Sequence, residues 1–301
     1  MNEVVSENYP VVVGVDGSPS SLAAVRWAAR DAAHRHTSLR LVHALGVPSL
    51  YVGAWPPSSE LRAMLAERGD EMLAAAKDVA TSIADIEVEV VMDNDDPAPV
   101  LIEKSRAARL LVLGGSGHGG FMAGLALGST AVKVASHAHS AVVVVRGENA
   151  DRRPERDPVV VGIDGSPLSE SALSFAFEEA SLRGAPLLVV HTWFDTEAAE
   201  MLAPERFAVE SGTAQEVAER LLAERLAGWG EKYPDVTVER VITRGRPHQE
   251  LIKLSERAQL VVVGSRGRGG FAGLLLGSHS QALIHAARCP VMVVRPAADR
   301  G

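Results

Sequence analysis

Residues 11–19 read Val-Val-Val-Gly-Val-Asp-Gly-Ser-Pro, and residues 159–167 repeat them as Val-Val-Val-Gly-Ile-Asp-Gly-Ser-Pro. A second phrase, Val-Leu-Gly-Gly-Ser-Gly-His-Gly-Gly-Phe at 112–121, returns as Val-Val-Gly-Ser-Arg-Gly-Arg-Gly-Gly-Phe at 262–271. Each phrase is a short apolar run that ends in a turn rich in Gly and Ser, which is typical of a buried parallel strand followed by an anion-binding loop. The spacing is too long for a solenoid repeat, so we infer two copies of a whole domain.

The composition is that of an ordinary globular protein. The chain has 301 residues, 47% hydrophobic and 23% charged, which is enough for two domains of about 150 residues each. Its net charge of -8 argues against general binding to nucleic acid or to anionic membranes, so we expect neither as a partner. The first ten residues lack the form of a signal peptide, and no apolar stretch reaches the roughly 20 residues that span a bilayer. We therefore expect a cytoplasmic protein.

Apolar runs alternate with amphipathic segments in the same order in both halves. In the first half we predict strands near 10–15, 39–43, 86–91, 110–113 and 141–145, with helices near 18–36, 58–82, 97–107 and 129–137. In the second half we predict strands near 158–163, 187–192, 236–241, 260–263 and 290–295, with helices near 168–183, 205–232, 248–256 and 278–287.

This order predicts an α/β fold of two tandem doubly wound domains. Each domain would hold a five-stranded parallel sheet of order 3-2-1-4-5, with helices on both faces. Residues 148–157 carry three Arg, a Pro and several acids, which indicates a solvated linker between domains at 1–147 and 158–301.

The repeated loops predict a ligand site in each domain. In an open α/β sheet, ligands bind beyond the carboxyl ends of the strands, where the strand order reverses, so the loops after the first and fourth strands should meet there. Glycine lets the main chain approach a ligand closely, and successive N–H groups can surround a phosphate. The second half has two and nine residues between its glycines, and the first has two and ten: Gly264, Gly267 and Gly277-Ser278; Gly114, Gly117 and Gly128-Ser129.

Two other phosphate motifs do not fit. The run at 115–120 matches the dinucleotide fingerprint G-x-G-x-x-G, but it follows the fourth strand and no acidic residue ends a strand about 20 positions later. A P-loop is excluded because no Gly-Lys pair occurs in the chain.

Several single residues have a structural interpretation beside a functional one. Asp16 and Asp164 are either helix caps or ligand contacts, and we favour ligand contacts because both close the predicted cleft. For His43 and His191, which end the second strands, packing is favoured over work as a general base. Cys289, the single cysteine, excludes an intrachain disulfide and is expected to be a buried apolar residue rather than a redox thiol. We predict no catalytic residues and no metal site.

The pattern G-x2-G-x9-G-[S/T], together with the early strand end V-x-V-D-G-S, resembles the ATP-binding branch of the universal stress proteins, in the tandem form found in actinobacteria. The resemblance covers both halves almost completely. It implies one ATP per domain, with Mg²⁺ able to accompany the phosphates, and a regulatory role in stress response or growth control. Any ATP hydrolysis would be slow.

The resemblance also implies which residues bind the nucleotide. In the second domain these are Gly162 and Asp164 at the adenosine, Thr192 at adenine through its main chain, and, along the ribose and phosphates, Gly264, Ser265, Arg266, Gly267, Arg268, Gly269, Gly270, Gly277, Ser278, His279 and Ser280. In the first domain they are Gly14, Asp16, Ala44, Gly114, Gly115, Ser116, Gly117, His118, Gly119, Gly120, Gly128, Ser129 and Thr130.

The first domain departs from the family pattern in two places. One extra residue precedes Gly128, which leaves the placement of the Gly128-Ser129 corner open. Residues 94–97 read Asn-Asp-Asp-Pro where residues 244–247 read Arg-Gly-Arg-Pro. If this acidic corner faces the cleft it repels polyphosphate, so the first site is expected to be the weaker one.

Two other functional classes stay open at this point. One is an ATP-hydrolysing or adenylating enzyme of the related adenine-nucleotide superfamily, and the other is an interaction module with empty clefts. The resemblance further implies that the last strands of both domains are edges, which invite pairing. We therefore expect the domains to pair, the chain to form homodimers, and a regulatory protein partner to exist.

Overall fold

The computed structural model describes residues 9–46, 59–115, 128–146, 157–193, 204–267 and 276–296, with main chain only for 204–214. The described residues form two compact units, one up to residue 146 and one from residue 157 onward. The boundaries at 147 and 158 stay a prediction, because the residues between 146 and 157 lie outside the described part.

The first unit, as described, alternates strands and helices. Its strands are β1 (Val11–Gly14), β2 (Leu39–Ala44), β3 (Val88–Asp93), β4 (Leu110–Gly114) and β5 (Ala141–Val145). Its helices are α1 (Pro19–His34), α2 (Ser59–Ile83), α3 (Pro97–Lys104) and α4 (Ser129–His137), and a 3-10 turn, Ser105–Ala107, follows α3.

The second unit repeats that order. Its strands are β6 (Val159–Gly162), β7 (Leu187–Trp193), β8 (Val238–Arg244), β9 (Leu260–Gly264) and β10 (Val291–Val294). Its helices are α5 (Pro167–Arg183), α6 (Pro204–Leu226), α7 (Trp229–Lys232), α8 (Pro247–Leu254) and α9 (Ser278–Ala286), and a 3-10 turn, Ser255–Arg257, follows α8.

Both units have a parallel sheet whose order reverses beside its first strand. The first sheet runs β3-β2-β1-β4-β5 and the second β8-β7-β6-β9-β10. Val13 lies opposite Leu41 on one side and Val112 on the other. The predicted α/β fold and strand order 3-2-1-4-5 are therefore confirmed, and the carboxyl ends of β1 and β4, and of β6 and β9, are neighbours.

The valine repeats form the centre of each sheet because helices cover both faces. The three valines that open β1, and the three that open β6, are fully buried. In contrast, β3 and β8 end their sheets and are half-exposed. On one face α1 packs against α2, and on the other α3 packs against α4. Right-handed crossovers require this arrangement when the chain reverses direction after β3.

The entry to the first helix of each unit is set by its sequence. Ser18 caps α1 by accepting a hydrogen bond from the main chain of Ser21 at 3.1 Å, and Ser166 caps α5 by accepting one from Ser169 at 3.3 Å. Proline follows each cap at the first helical position, where its missing N–H costs nothing.

The structure differs from the sequence prediction at several boundaries. The helix predicted near 205–232 ends at Leu226, and a separate short helix begins at Trp229, because Gly228 between them has φ +81°, which an α-helix does not accommodate. Strands β3 and β8 begin two residues later than predicted and run further, since their last residues still pair with β2 and β7. None of the helices in the described ranges combines the length and hydropathy that a bilayer crossing requires.

Candidate functional site

A tight turn follows the first strand of each unit and is held by an aspartate. Asp16 Oδ1 accepts hydrogen bonds from Ser18 N at 3.0 Å and from Ser18 Oγ at 2.6 Å, and Asp164 Oδ1 accepts one from Ser166 N at 2.9 Å. The residue between has a φ of +76° in the first unit and +77° in the second, which glycine adopts without strain. The helix caps are therefore the serines, and the aspartates fix the turn with one carboxylate oxygen.

The end of the fourth strand lies against the beginning of the first helix in both units, and in the second unit the loop that follows lies against the aspartate turn. A methyl group on Gly114 would come within 2.6 Å of the carbonyl carbon of Ser20, and one on Gly264 would come within 3.1 Å of Leu168 Cγ. A methyl group on Gly267 would lie 2.7 Å from Asp164 Oδ2. In the second unit the remaining carboxylate oxygen of Asp164 thus faces the glycine loop, and the structure brings these predicted site residues together.

Main-chain hydrogen bonds anchor the glycine-serine corner identically in both units. Gly128 N donates to Gly115 O at 3.0 Å, and Gly277 N donates to Ser265 O at 2.7 Å. Gly115 N and Ser265 N in turn donate to the last residues of β5 and β10. The Gly128-Ser129 corner therefore has the same main-chain anchor as the Gly277-Ser278 corner, although one extra residue precedes Gly128 in the sequence.

The corner begins the helix that is expected to face phosphate. Gly128 and Gly277 are the N-caps of α4 and α9, and neither helix has a side-chain hydrogen bond at its cap. Ser129 and Ser278 follow them and are at least partly exposed, so first-turn N–H groups and hydroxyls are available to an anion. Ser280 is placed differently: it is buried, and its hydroxyl donates to Gly264 O at 2.7 Å.

The main chain at the end of the second strand also faces the cleft. Val15 N donates to Val42 O at 2.8 Å, so the main-chain groups of Val42 point toward β1. Main-chain groups alternate sides along a strand, so those of Ala44, two residues later, point the same way, beyond the last residue of β1. The same reasoning applies to Thr192, because Ile163 N donates to Val190 O at 2.9 Å.

A histidine closes the strand end beside each turn. His43 Nδ1 lies 2.7 Å from Val15 O, and His191 Nδ1 lies 2.8 Å from Ile163 O. A carbonyl oxygen only accepts, so Nδ1 carries the hydrogen in both rings. Each ring N–H gives the carbonyl oxygen a hydrogen-bond donor at the point where the chain leaves the sheet. This structural role agrees with the expectation that these histidines pack at the strand ends and do not act as general bases.

Two arginines at the loop were missed by the sequence reasoning. Arg146 follows β5, and its aliphatic stem lies on Gly115, where any Cβ would overlap it. Arg295 follows β10, and burial, with a smaller contribution from the neighbouring Arg266 guanidinium, lowers its pKa from the ordinary value. The Val-Arg pair at the end of each half is itself a repeat, and this signal could have identified both residues.

Open pockets border the loops. In the first unit a pocket of about 400 Å³ lies between the beginnings of α3 and α4 and is lined by residues that include Asp96, Ala98, Ser129, Thr130, Lys133 and His137. In the second unit a pocket of about 390 Å³ lies on the α5 side of the loop and is lined by Ser166, Pro167, Leu168, Ser171, Arg266, Gly267 and Pro296.

Part of the predicted site falls outside the described residues, namely Ser116, Gly117, His118, Gly119, Gly120, Arg268, Gly269 and Gly270. Over the ranges that the structure does describe, no group of three or more His, Cys, Asp or Glu side chains could hold a metal ion.

Comparison with known proteins assigns both halves of the chain to the same family. The model of the universal stress protein family matches residues 8–146 and 155–295. The universal stress protein Rv2005c of Mycobacterium tuberculosis is 43% identical over 297 residues, covering 96% of this chain and 98% of the relative. A universal stress protein of Mycolicibacterium smegmatis is 40% identical over 295 residues, covering 96% and 97%. The crystal structure of a universal stress protein from Archaeoglobus fulgidus shares the fold, with a TM-score of 0.67 and 20% identity over 97% of this chain and 98% of that one.

Proposed function

This chain belongs to the universal stress protein family, and from that premise we propose that it binds adenine nucleotide, one per unit and ATP above all, as a regulator of stress response or growth. The observation that carries the proposal is the duplicated corner at Gly128 and Gly277. Each glycine is tied to the loop behind it and begins a helix that has no side-chain cap. In the second unit that loop faces Asp164.

The arrangement supports recognition of both ends of a nucleotide. The main chain of Ala44 and of Thr192 offers a donor and an acceptor to an adenine edge, as a strand offers them to its neighbour. Helix N-termini and glycine N–H groups favour the phosphates. Mg²⁺ would enter with the nucleotide, because it prefers oxygen ligands and is often bound largely through substrate phosphates.

The role proposed is binding rather than turnover. The chain has no Gly-Lys pair to direct a lysine at the phosphates. The two histidines at the strand ends direct Nδ1 to a carbonyl. These features support a regulator that alternates between nucleotide-bound and nucleotide-poor states. We propose, from the family resemblance, that it acts as a homodimer with a protein partner.

Copurified nucleotide tests the proposal directly. The purified protein is denatured by heat, and the supernatant is chromatographed for adenine nucleotides, while ATP binding to stripped protein is measured by calorimetry. We expect nucleotide in the supernatant and saturable binding. Absence of both would leave an interaction module with empty clefts. A turnover rate on the order of 1 per second or more would instead favour an enzyme.

A further inference from the structure

The side chains at the N-termini of α3 and α4 in the first unit differ in charge from those at the N-termini of α8 and α9 in the second. In the first unit, the pocket between α3 and α4 is lined by Asp96 together with Ser129 and Thr130, the residues expected to meet phosphate. Asp96 is the N-cap position of α3, and its side chain makes no capping hydrogen bond there. The acidic corner of the sequence therefore does face the predicted phosphate position.

The acidic corner, together with Asp93 just before it, is also hydrogen-bonded to the end of β2, where adenine is expected to bind. Leu45 N donates to Asp93 O at 2.9 Å, and Gly46 N donates to Asp95 O at 3.3 Å. Asp95 N donates to Asp93 Oδ1 at 3.2 Å, and Lys104 lies 3.8 Å from the other oxygen of Asp93. Asp95 and Asp96 are exposed. Two carboxylates thus lie at the rim of the first cleft, in a turn held by main-chain hydrogen bonds.

The second unit carries the opposite charge at the equivalent place. Arg246 occupies the N-cap position of α8, where the first unit has Asp96. His248 replaces Ala98 and His279 replaces Thr130, and their Nδ1 atoms are 3.1 Å apart, so two imidazoles fill the space between the helix beginnings. Where the first unit has an open pocket lined by a carboxylate, the second has an arginine at the N-cap position and an imidazole pair between the helices.

The contrast extends along the whole carboxyl edge of each sheet. Among the described residues that end a strand or follow it, the first unit has four carboxylates and one guanidinium, and the second has one carboxylate and four guanidiniums: Asp16, Asp93, Asp95, Asp96 and Arg146; Asp164, Arg244, Arg246, Arg266 and Arg295. Lys133 also lines the first pocket, but it belongs to the second turn of α4 and is exposed.

We infer that the two units select adenine ligands of different charge, an inference that rests on the proposed nucleotide binding. The second unit prefers the triphosphate, and the first prefers a ligand with at most one phosphate, an adenine nucleoside or monophosphate, and binds ATP more weakly. Like charges a few ångströms apart near a protein surface oppose each other strongly enough to change affinity about tenfold, and opposite charges favour binding to a similar extent. Salt reduces both effects.

The test uses the full-length chain and the charge swaps Asp96→Arg and Arg246→Asp. Binding of ATP, AMP and adenosine is measured by calorimetry at low and at physiological salt. The chain has four tryptophans, so the fluorescence change that is lost in a Trp193→Phe background assigns a binding event to the second unit; the first unit has leucine at the position equivalent to Trp193. Asp78→Arg and Arg220→Asp make the same charge changes on exposed helix positions and serve as controls.

The expected result is two classes of ATP site that differ at least about tenfold in affinity, the tighter one reported by Trp193. Asp96→Arg should strengthen the weaker class and Arg246→Asp should weaken the tighter class, each about tenfold at low salt, with adenosine binding unchanged. Two equal ATP sites that ignore both swaps would overturn the inference and leave the proposed function standing. Failure of every adenine ligand to bind would remove both.

Discussion

The two units share three features built from equivalent residues: the aspartate turn, the glycine-serine corner and the hydrogen bond from a histidine ring to a main-chain carbonyl. The side chains at the carboxyl ends of their strands nevertheless carry opposite charge. Asp16 and Asp164 fix their turns with nearly equal geometry, and Gly128 and Gly277 are tied to the same position of the loop. Asp96 and Arg246, in contrast, occupy one helix position with opposite sign. Features that shape the main chain are duplicated faithfully, whereas exposed side chains at the rim have diverged.

The largest expected effect concerns an equivalent position shortly before the last strand, which is Ser140 in the first unit and Cys289 in the second. Burial raises the pKa of the Cys289 thiol from 9.0 to about 12. At pH 8 its thiolate fraction should be about a thousandfold lower than that of an unfolded chain. An aromatic disulfide reagent should therefore modify the protein only after denaturation. Rapid modification of the native chain would show that the thiol is accessible and ionised.

Gly267→Val should remove nucleotide binding from the second unit while the first unit keeps it. A side chain at this position would lie 2.7 Å from Asp164 Oδ2, which closes the space between the two loops. We expect at least about a hundredfold loss in ATP affinity, followed through Trp193 fluorescence. Gly230→Ala is the control, because a Cβ there meets nothing within 4 Å. The same change at Gly117, the equivalent position, should abolish binding in the first unit, and unaltered binding in either variant would refute the loop assignment.

Gly114→Ala and Gly264→Ala should differ in cost although the residues are equivalent. The first new methyl meets the main chain of Ser20 at 2.6 Å and requires a backbone shift, worth about 2–3 kcal/mol of unfolding free energy. The second meets Leu168 Cγ at 3.1 Å and the main-chain oxygen of Arg266 at 3.2 Å, both longer than the contact at Gly114, so a smaller loss of about 1–2 kcal/mol is expected. Urea denaturation of both variants measures the difference. Equal losses would mean that the α1 and α5 contacts are alike.

His43→Leu and His191→Leu should reduce the unfolding free energy equally, which tests whether the histidine–carbonyl hydrogen bond is the same in both units. Each substitution leaves the carbonyl of Val15 or Ile163 without its ring donor, at about 1–2 kcal/mol. Hydrogen exchange of residues 15–18 and 163–166 should quicken in the respective variants. His137→Leu is the control, since this exposed ring contacts a carbonyl of its own helix. Faster exchange in only one variant would show that this histidine–carbonyl hydrogen bond is not equivalent in the two units.

The smallest effect is expected at Ser265, which the first unit replaces with Gly115. Ser265 is buried, and in the described part of the chain its hydroxyl has no hydrogen-bond partner. Removing an unpartnered buried hydroxyl relieves its desolvation cost, so Ser265→Ala should leave the unfolding free energy unchanged or raise it by about 0.5 kcal/mol. A clear loss of stability on calorimetric unfolding would reveal a partner for this hydroxyl.

Most of the fold could be predicted from the sequence, because the strands and helices are marked by short-range sequence patterns. The valine runs, the serine-proline helix starts and the repeated spacing predicted the strand order and nearly every element. The break at Gly228 was missed because a helical pattern tolerates an isolated glycine, so the residue type alone does not mark a helix end. The hydroxyl of Ser280 was assigned to phosphate from its position in the motif, whereas helix geometry turns it inward to Gly264.

The sequence by itself determined that one α/β domain occurs twice and that glycine loops follow its first and fourth strands, since both facts are written in local pattern and in repetition. Only the tertiary structure decided which distant residues share a cleft. Parallel pairing places the ends of β4 and β5 side by side, so Arg146 reaches the loop at Gly115, and helix packing turns Asp96 toward Ser129. Sequence separation carries no information about such neighbours, because they are set by strand register and by the face on which each helix packs.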